Sequence, residues 1–214
     1  LHNNMKHTDE QNKNVSDCVA IYRTNAYMFT DDERNESGLF PNISRINHSC
    51  FPNAQFIDDP KHGTNAIVAL YGIHKGEEIT HSYIGLELFM SDAETRQKYI
   101  EENYGFKCRC KECVQFVKRD AFRKQYRNLE EEMEKSFDQM HVEKILECSQ
   151  KMVDILKKHF NAYPPLLSQA YMRLAEAKLH LAQYDEVVAY MKRSAKLDLK
   201  FYGDGCDMND ILQC

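Results

Sequence analysis

Apolar positions follow two regimes along this chain. Up to about residue 113 they come as short runs between turn residues, and beyond it they recur at helical spacing. Residues 1–17 are polar, rich in Asn and Lys and without clear periodicity, which predicts a loop or a frayed helix. Val19, Ile21 and Tyr22, followed by Tyr27 and Phe29, predict a short helix running into a strand between Cys18 and Phe29. Asp31 to Gly38 reads as a charged loop, and Ile43 to Cys50 is neither helical nor alternating. Strands are predicted over 54–57, over 66–71 (Ile67, Val68 and Leu70 bounded by Gly63 and Gly72) and over 79–84, the last after a Lys75-Gly76-Glu77-Glu78 turn. Ser91 and Glu94 have capping-box spacing and predict a helix ending near Asn103, ahead of Gly105.

The second regime opens with a long, highly charged stretch from Phe116 to Phe137. Val142, Ile145, Leu146, Met152, Val153, Leu156 and Phe160 then form an apolar stripe, and Pro164-Pro165 are expected to break the chain. Leu167, Ala170, Tyr171, Leu174, Ala177 and Leu181 make the next stripe, and Val187, Val188, Met191, Ala195 and Leu199 another. The expected class is therefore α+β, a β-rich first half and an all-α second half, with the boundary near residues 114–120.

Composition changes this picture in two places. A hydrophobic share of 43% and a charged share of 29% over 214 residues describe an ordinary globular chain. The formal net charge of −5 argues against a nucleic-acid surface over the whole chain and suits a basic partner such as a lysine-rich peptide. No apolar run reaches bilayer length and no signal-peptide core opens the chain, so no membrane association is expected. The expected setting is intracellular, cytoplasm or nucleus, where thiols stay reduced, and the expected state is monomeric. Leu1 in place of Met, and the abrupt end after Gly203-Asp204-Gly205-Cys206, look like cuts through a longer protein.

Eight cysteines in a reducing setting need an account other than disulfides. Cys18, Cys148, Cys206 and Cys214 are scattered and read as small buried hydrophobes. Cys108-Arg109-Cys110-Lys111-Glu112-Cys113 is a C-x-C-x-x-C cluster, a metal-type spacing. A structural zinc site takes four protein ligands, so a fourth donor must come from elsewhere. Cys50, in Asn47-His48-Ser49-Cys50, is the best candidate, and its choice over Cys18 or Cys148 rests partly on the resemblance given below.

Three motifs occur in one order: Asn47-His48-Ser49-Cys50-Phe51-Pro52-Asn53, then Gly76-Glu77-Glu78-Ile79-Thr80-His81-Ser82-Tyr83, then Tyr104-Gly105-Phe106-Lys107-Cys108 through Cys113. Together they resemble the SET domain of protein-lysine methyltransferases with its post-SET zinc segment. The later helical stripe with Tyr171, Leu174, Ala175 and Leu181 resembles a tetratricopeptide hairpin. That layout is similar to the SET- and MYND-domain (SMYD) methyltransferases.

The resemblance implies a small-stranded SET-type fold with a pseudoknot over residues 1–90, a post-SET zinc segment over 91–115, and a tetratricopeptide-like, truncated helical domain over 116–214. It implies S-adenosylmethionine as methyl donor and a lysine-containing protein or peptide, histone or not, as substrate. Asn25, Ser44, Ile46, Asn47 and His48 would line the donor site, and Tyr83 would be the catalytic tyrosine. Tyr104 and Phe106 would complete the aromatic lysine channel beside the donor. Cys50, Cys108, Cys110 and Cys113 would hold structural zinc.

The chain also departs from the family. It shows no Gly-x-Gly strand and no MYND module, and Arg45 stands where the family has an apolar residue. It thus reads as a fragment without the upstream half of the SET domain. A rival reading is a catalytically silent SET-fold scaffold that binds partner peptides through its C-terminal helices. A zinc-dependent nucleic-acid binder fits poorly, because no basic stripe accompanies the cysteines.

Overall fold

The structure is a computed structural model that describes residues 9–28, 37–59, 64–115 and 117–202. The chain forms two compact units, Leu1–Asn47 and His48–Cys214. In the first, α1 runs over Asp9–Asn25. The helix thus begins well inside the stretch expected to be loop or frayed: no Gly or Pro interrupts it, and Val15, Val19 and Tyr22 already carry helical spacing. Cys18 corrects an expectation, since it is exposed rather than buried, on a helix whose described side chains before Asn25 all face solvent. β1 (Ala26–Met28) pairs antiparallel with β2 (Ser37–Leu39), with Tyr27 opposite Gly38. A single 3-10 turn at Ile43–Arg45 follows, closed by the Ile46 N–H on the Ile43 carbonyl at 3.0 Å. Phe29, residues 31–36, Cys206 and Cys214 lie outside the described residues.

The second unit begins within β3 (Asn47–His48), the short partner of β6 (Thr80–His81). β4 (Ala54–Asp59) and β5 (Thr64–Ala69) form an antiparallel pair, Ala54 opposite Ala69 and Asp59 opposite Thr64. The third strand is shorter than the pattern predicts. After His81 the ladder is diverted: the Tyr83 N–H donates to the His48 ring, not to a neighbouring strand. Asn53 secures this region. Its Oδ1 accepts from Thr80 N at 2.9 Å and its Nδ2 donates to Glu78 O at 2.9 Å, so one side chain replaces a strand partner for the turn before β6. Gly76 takes φ +89° in that turn, a conformation that favours glycine.

α2 (Leu86–Phe89) leads into α3 (Ala93–Tyr104), which ends at Gly105 in the left-handed region at φ 75°, as expected. The cap is one residue later than the predicted box. Asp92, not Ser91, accepts from Thr95 N at 2.8 Å, because Ser91 still closes the preceding turn through its amide on Leu88 O and the first helical bond, from Arg96 N, ends on the Asp92 carbonyl. α4 (Lys111–Val114) is a single turn inside the cysteine segment.

Four helices then follow: α5 (Asp120–Asp138), α6 (Val142–His159), α7 (Pro164–His180) and α8 (Tyr184–Tyr202). Each packs on the next across a short connection, which makes neighbours antiparallel. Pro164 and Pro165 do not merely break the chain. They open α7, where the missing amide would have had no helical partner. The expected stripes supply the core: Ile145, Met152, Val153, Leu156 and Phe160 of α6 and its C-cap meet Leu167, Ala170, Tyr171, Leu174 and Ala177 of α7. Val188 departs from its stripe and is 38% exposed, while Val187 is buried. Leu70, Phe89 and Met90 belong to this same core, so one apolar interior runs from β5 and α2 into the helices. Phe89 stacks on Tyr163 with ring centroids 4.0 Å apart.

Candidate active site and metal centre

Within the second unit, residues 48–53, the strand end at His81–Tyr83 and the segment after α3 come together. Tyr83 sits in a cage of rings: Tyr104 at 5.0 Å, Phe106 at 6.4 Å and nearly perpendicular, His48 at 5.3 Å and His81 at 5.0 Å between centroids. Its backbone is held from both sides. The Tyr83 N–H donates to His48 Nδ1 at 3.0 Å, and the Tyr104 hydroxyl donates to the Tyr83 carbonyl at 3.0 Å. Burial raises the Tyr83 phenol above its usual range, and chiefly burial raises that of Tyr104, so both stay protonated at neutral pH.

The His48 hydrogen bonds settle its tautomer. Nδ1 accepts an amide proton, so the ring proton is on Nε2, which donates to Cys50 Sγ at 3.2 Å. Burial foremost lowers the His48 pKa to about 4, consistent with a neutral ring. His48 is thus turned inward, tying the sulfur of Cys50 to the backbone of Tyr83. His81 is also buried and neutral, its pKa lowered to about 4 by burial, and its carbonyl receives the Ser49 N–H at 3.0 Å.

Cys50, Cys108, Cys110 and Cys113 converge, with all four sulfurs within 4.8 Å of one another. Cys50 Sγ lies 3.6 Å from Cys113 Sγ and 3.9 Å from Cys108 Sγ. Four sulfurs at 2.3 Å around a tetrahedral zinc would stand about 3.8 Å apart. The residues therefore fit that ion. Hydrogen bonding among the sulfurs, Cys108 first, draws Cys110 below the usual thiol range and Cys113 down to about 7, while the Cys50 and Cys108 thiols are pushed up. Cys148, the other buried candidate, is apart from this group, its sulfur 3.7 Å from Glu132 Oε2.

In the first unit, Asn25 and Ser44 are brought together: the Ser44 hydroxyl lies 3.1 Å from the Asn25 carbonyl and 2.9 Å from that of Phe40. Ile46 is half-buried, and Asn47 and Arg45 are exposed.

Sequence reasoning missed a buried ionic chain beside the cysteines. Glu112 bridges Arg119 and Arg123 at 2.6 Å each, Arg123 also holds Asp120 at 3.1 Å, and Asp120 stands 3.5 Å from Arg96. The signal available was Arg96 itself, a charge on the α3 face that also carries Ala93 and Ile100. Also missed was a cavity of about 640 Å³ in the second unit. Ser82 and Ile84, the neighbours of Tyr83, line it on one side, and Ser168, Met172 and Asp198 of α7 and α8 on the other. Asp198 is half-buried, accepts from the Ser168 hydroxyl at 2.7 Å, and has its carboxyl pushed up chiefly by burial.

Comparison with known proteins finds likeness over part of the chain. Residues 2–84 match the SET domain family model. Over that stretch the chain is similar to SET domains, and it is similar to SMYD-type lysine methyltransferases. It is 35% identical over 108 residues to "Histone-lysine N-methyltransferase ASHR1" of Arabidopsis thaliana, covering 50% of this chain and 22% of that protein. It is 33% identical over 119 residues to "N-lysine methyltransferase SMYD2-A" of Danio rerio, covering 54% and 26%. It is 29% identical over 124 residues to "Histone-lysine N-methyltransferase SMYD1" of Homo sapiens, covering 50% and 24%. The chain spans about a quarter of the length of these relatives.

Proposed function

We propose that this chain serves methyl transfer from S-adenosylmethionine to the side-chain amine of a lysine in a protein substrate, inside the cell. The observation that carries the reading is Tyr83, fixed by its own backbone at both ends and ringed by Tyr104 and Phe106. S-adenosylmethionine, when bound, supplies a methyl group on a positively charged sulfur. Asn25, Ser44, Ile46, Asn47 and the backbone of His48 would hold it, since the His48 ring is committed to Tyr83 and Cys50.

The chain's own work is alignment. The lysine enters neutral, having left its proton to water, so that its lone pair can form the new N–C bond as the methyl–sulfur bond breaks. The Tyr83 hydroxyl holds the amine, and the ring faces favour the positive charge that grows on nitrogen. The cavity beside Ser82 and Ile84 would take the flanking peptide, with helices α7 and α8 helping to choose it. Zinc on Cys50, Cys108, Cys110 and Cys113 would hold Tyr104 and Phe106 against Tyr83, a structural role.

The test is methyl transfer by the full-length protein, wild type against Tyr83→Phe. The ring can still pack, so stability should stay within about 1 kcal/mol. Turnover should fall roughly 100-fold to 1000-fold with donor binding retained, the loss expected for one preorganised polar contact. Unchanged turnover would make Tyr83 structural and favour the peptide-binding scaffold.

A further inference from the structure

Arg96 is fully buried, at 0% exposure, on a helix face otherwise occupied by Ala93 and Ile100. Its Nη1 donates to the Ser91 carbonyl and faces Asp120 Oδ1 at 3.5 Å. Its Nε and Nη2 are buried and have no hydrogen-bond acceptor among the described residues. Ile100, one turn further along α3, belongs to one buried cluster with Cys50, Cys108 and Cys113, so Arg96 shares the helix face turned to that cluster. The Cys50 and Cys113 sulfurs and Asp120 are the neighbouring groups that act on its charge.

A buried cation with two idle donors needs an anion. Asp120 is not enough, because Arg123 already claims it. Arg96, Asp120, Arg123, Glu112 and Arg119 carry three positive and two negative charges, which leaves +1 over. Four protonated thiols cannot balance this. Four thiolates around a divalent ion carry −2 and present the acceptors that Nε and Nη2 lack.

We propose that Arg96 is the counter-charge of a metal–thiolate cluster, a positioning residue that ties the metal centre through Asp120 to the start of α5. The proposal rests on the zinc reading above. It also gives the ionic chain a purpose. Asp120 Oδ2 accepts the Ala93 N–H at 2.8 Å while Oδ1 faces Arg96 and Arg123, so the first residue of the helical segment is clamped to α3 beside the sulfurs.

The test uses the whole chain loaded with zinc, or with cobalt(II) for spectroscopy, and compares Arg96→Met, Arg96→Lys and Ile100→Ala. Metal content of the wild type comes first: without about one ion per chain, the zinc reading itself fails. With metal present, Arg96→Met should release it to a chelator about 10-fold to 100-fold faster, the usual range when a partner outside the ligand set is lost. Its cobalt–thiolate charge-transfer band should move to lower energy, because sulfur loses a neighbouring positive charge. Amide exchange should rise at the first turn of α5. Arg96→Lys, which keeps the charge, should restore the band most of the way and serves as the folded comparator if the Met variant is poorly soluble. Ile100→Ala loosens the same helix without touching charge and should leave the band in place. A wild-type-like band and release rate in Arg96→Met, or a band shift in Arg96→Lys equal to that in the Met variant, would overturn the proposal.

Discussion

The cysteine–aromatic corner and the helical segment behind it are held by different forces, although one apolar core touches both. The helices α5 to α8 are held by stripes of Leu, Ile, Met and aromatic residues that remove apolar surface from water. The corner has few regular elements. It depends on side chains bonded to backbone: Asn53 on Thr80 and Glu78, His48 on Tyr83, Tyr104 on Tyr83, Asp120 on Ala93. Its own apolar cluster is small, Ile84 and Ile100 against the sulfurs, which is too little to hold loops rigid without a crosslink. A helical bundle tolerates imprecision, whereas a site that aligns an amine needs loops fixed to a fraction of an ångström, and a metal centre supplies that.

The contrast can be broken most sharply at the cysteines. Cys50→Ser should empty the metal site and cost on the order of 4 kcal/mol or more, since metal-binding free energy becomes folding free energy. Metal analysis and thermal unfolding would check it, and unchanged metal content and stability would remove Cys50 from the ligand set. In the helices, Leu174→Ala should cost about 2–5 kcal/mol through the cavity it leaves, while metal content stays at the wild-type value. Denaturant unfolding alongside metal analysis reads both quantities, and metal loss in this variant would mean the two regions are not energetically separate.

The smallest effect is a pH dependence seated in the corner. His81 has its pKa lowered to about 4 in the folded chain, against 6.5 when unfolded. The unfolded chain therefore binds the extra proton first, and stability falls as pH drops from 6.5 towards 4, by at most about 3 kcal/mol. His81→Gln should show a shallower loss than wild type over that window in denaturant titrations at stepped pH. Equal slopes would mean that His81 does not set the dependence.

Much of the helical half was legible because helical periodicity is a local signal: Ile145, Met152 and Leu156, or Leu167, Ala170 and Leu174, recur on one face whatever else the chain does. The cysteine cluster was legible for a similar reason, its spacing being short. The strand at residues 79–84 was overdrawn, because nothing local says that Tyr83 gives its amide to a histidine 35 residues away. Ser91 was mistaken for a cap because nothing local says that its amide closes the preceding turn on Leu88 O.

The sequence alone determined most of the elements and the chemistry on offer: a C-x-C-x-x-C segment, two further motifs, an aromatic pair and three apolar stripes. Tertiary structure alone decided what those groups do for one another. It brought Cys50 to its three partners, turned His48 inward between a sulfur and an amide, enclosed Tyr83 in rings, and buried Arg96 with two donors beside the thiols. The physical reason is range. Helix and turn preferences act over a few residues, whereas burial, ion pairing and metal ligation depend on which distant groups the closed chain removes from water together.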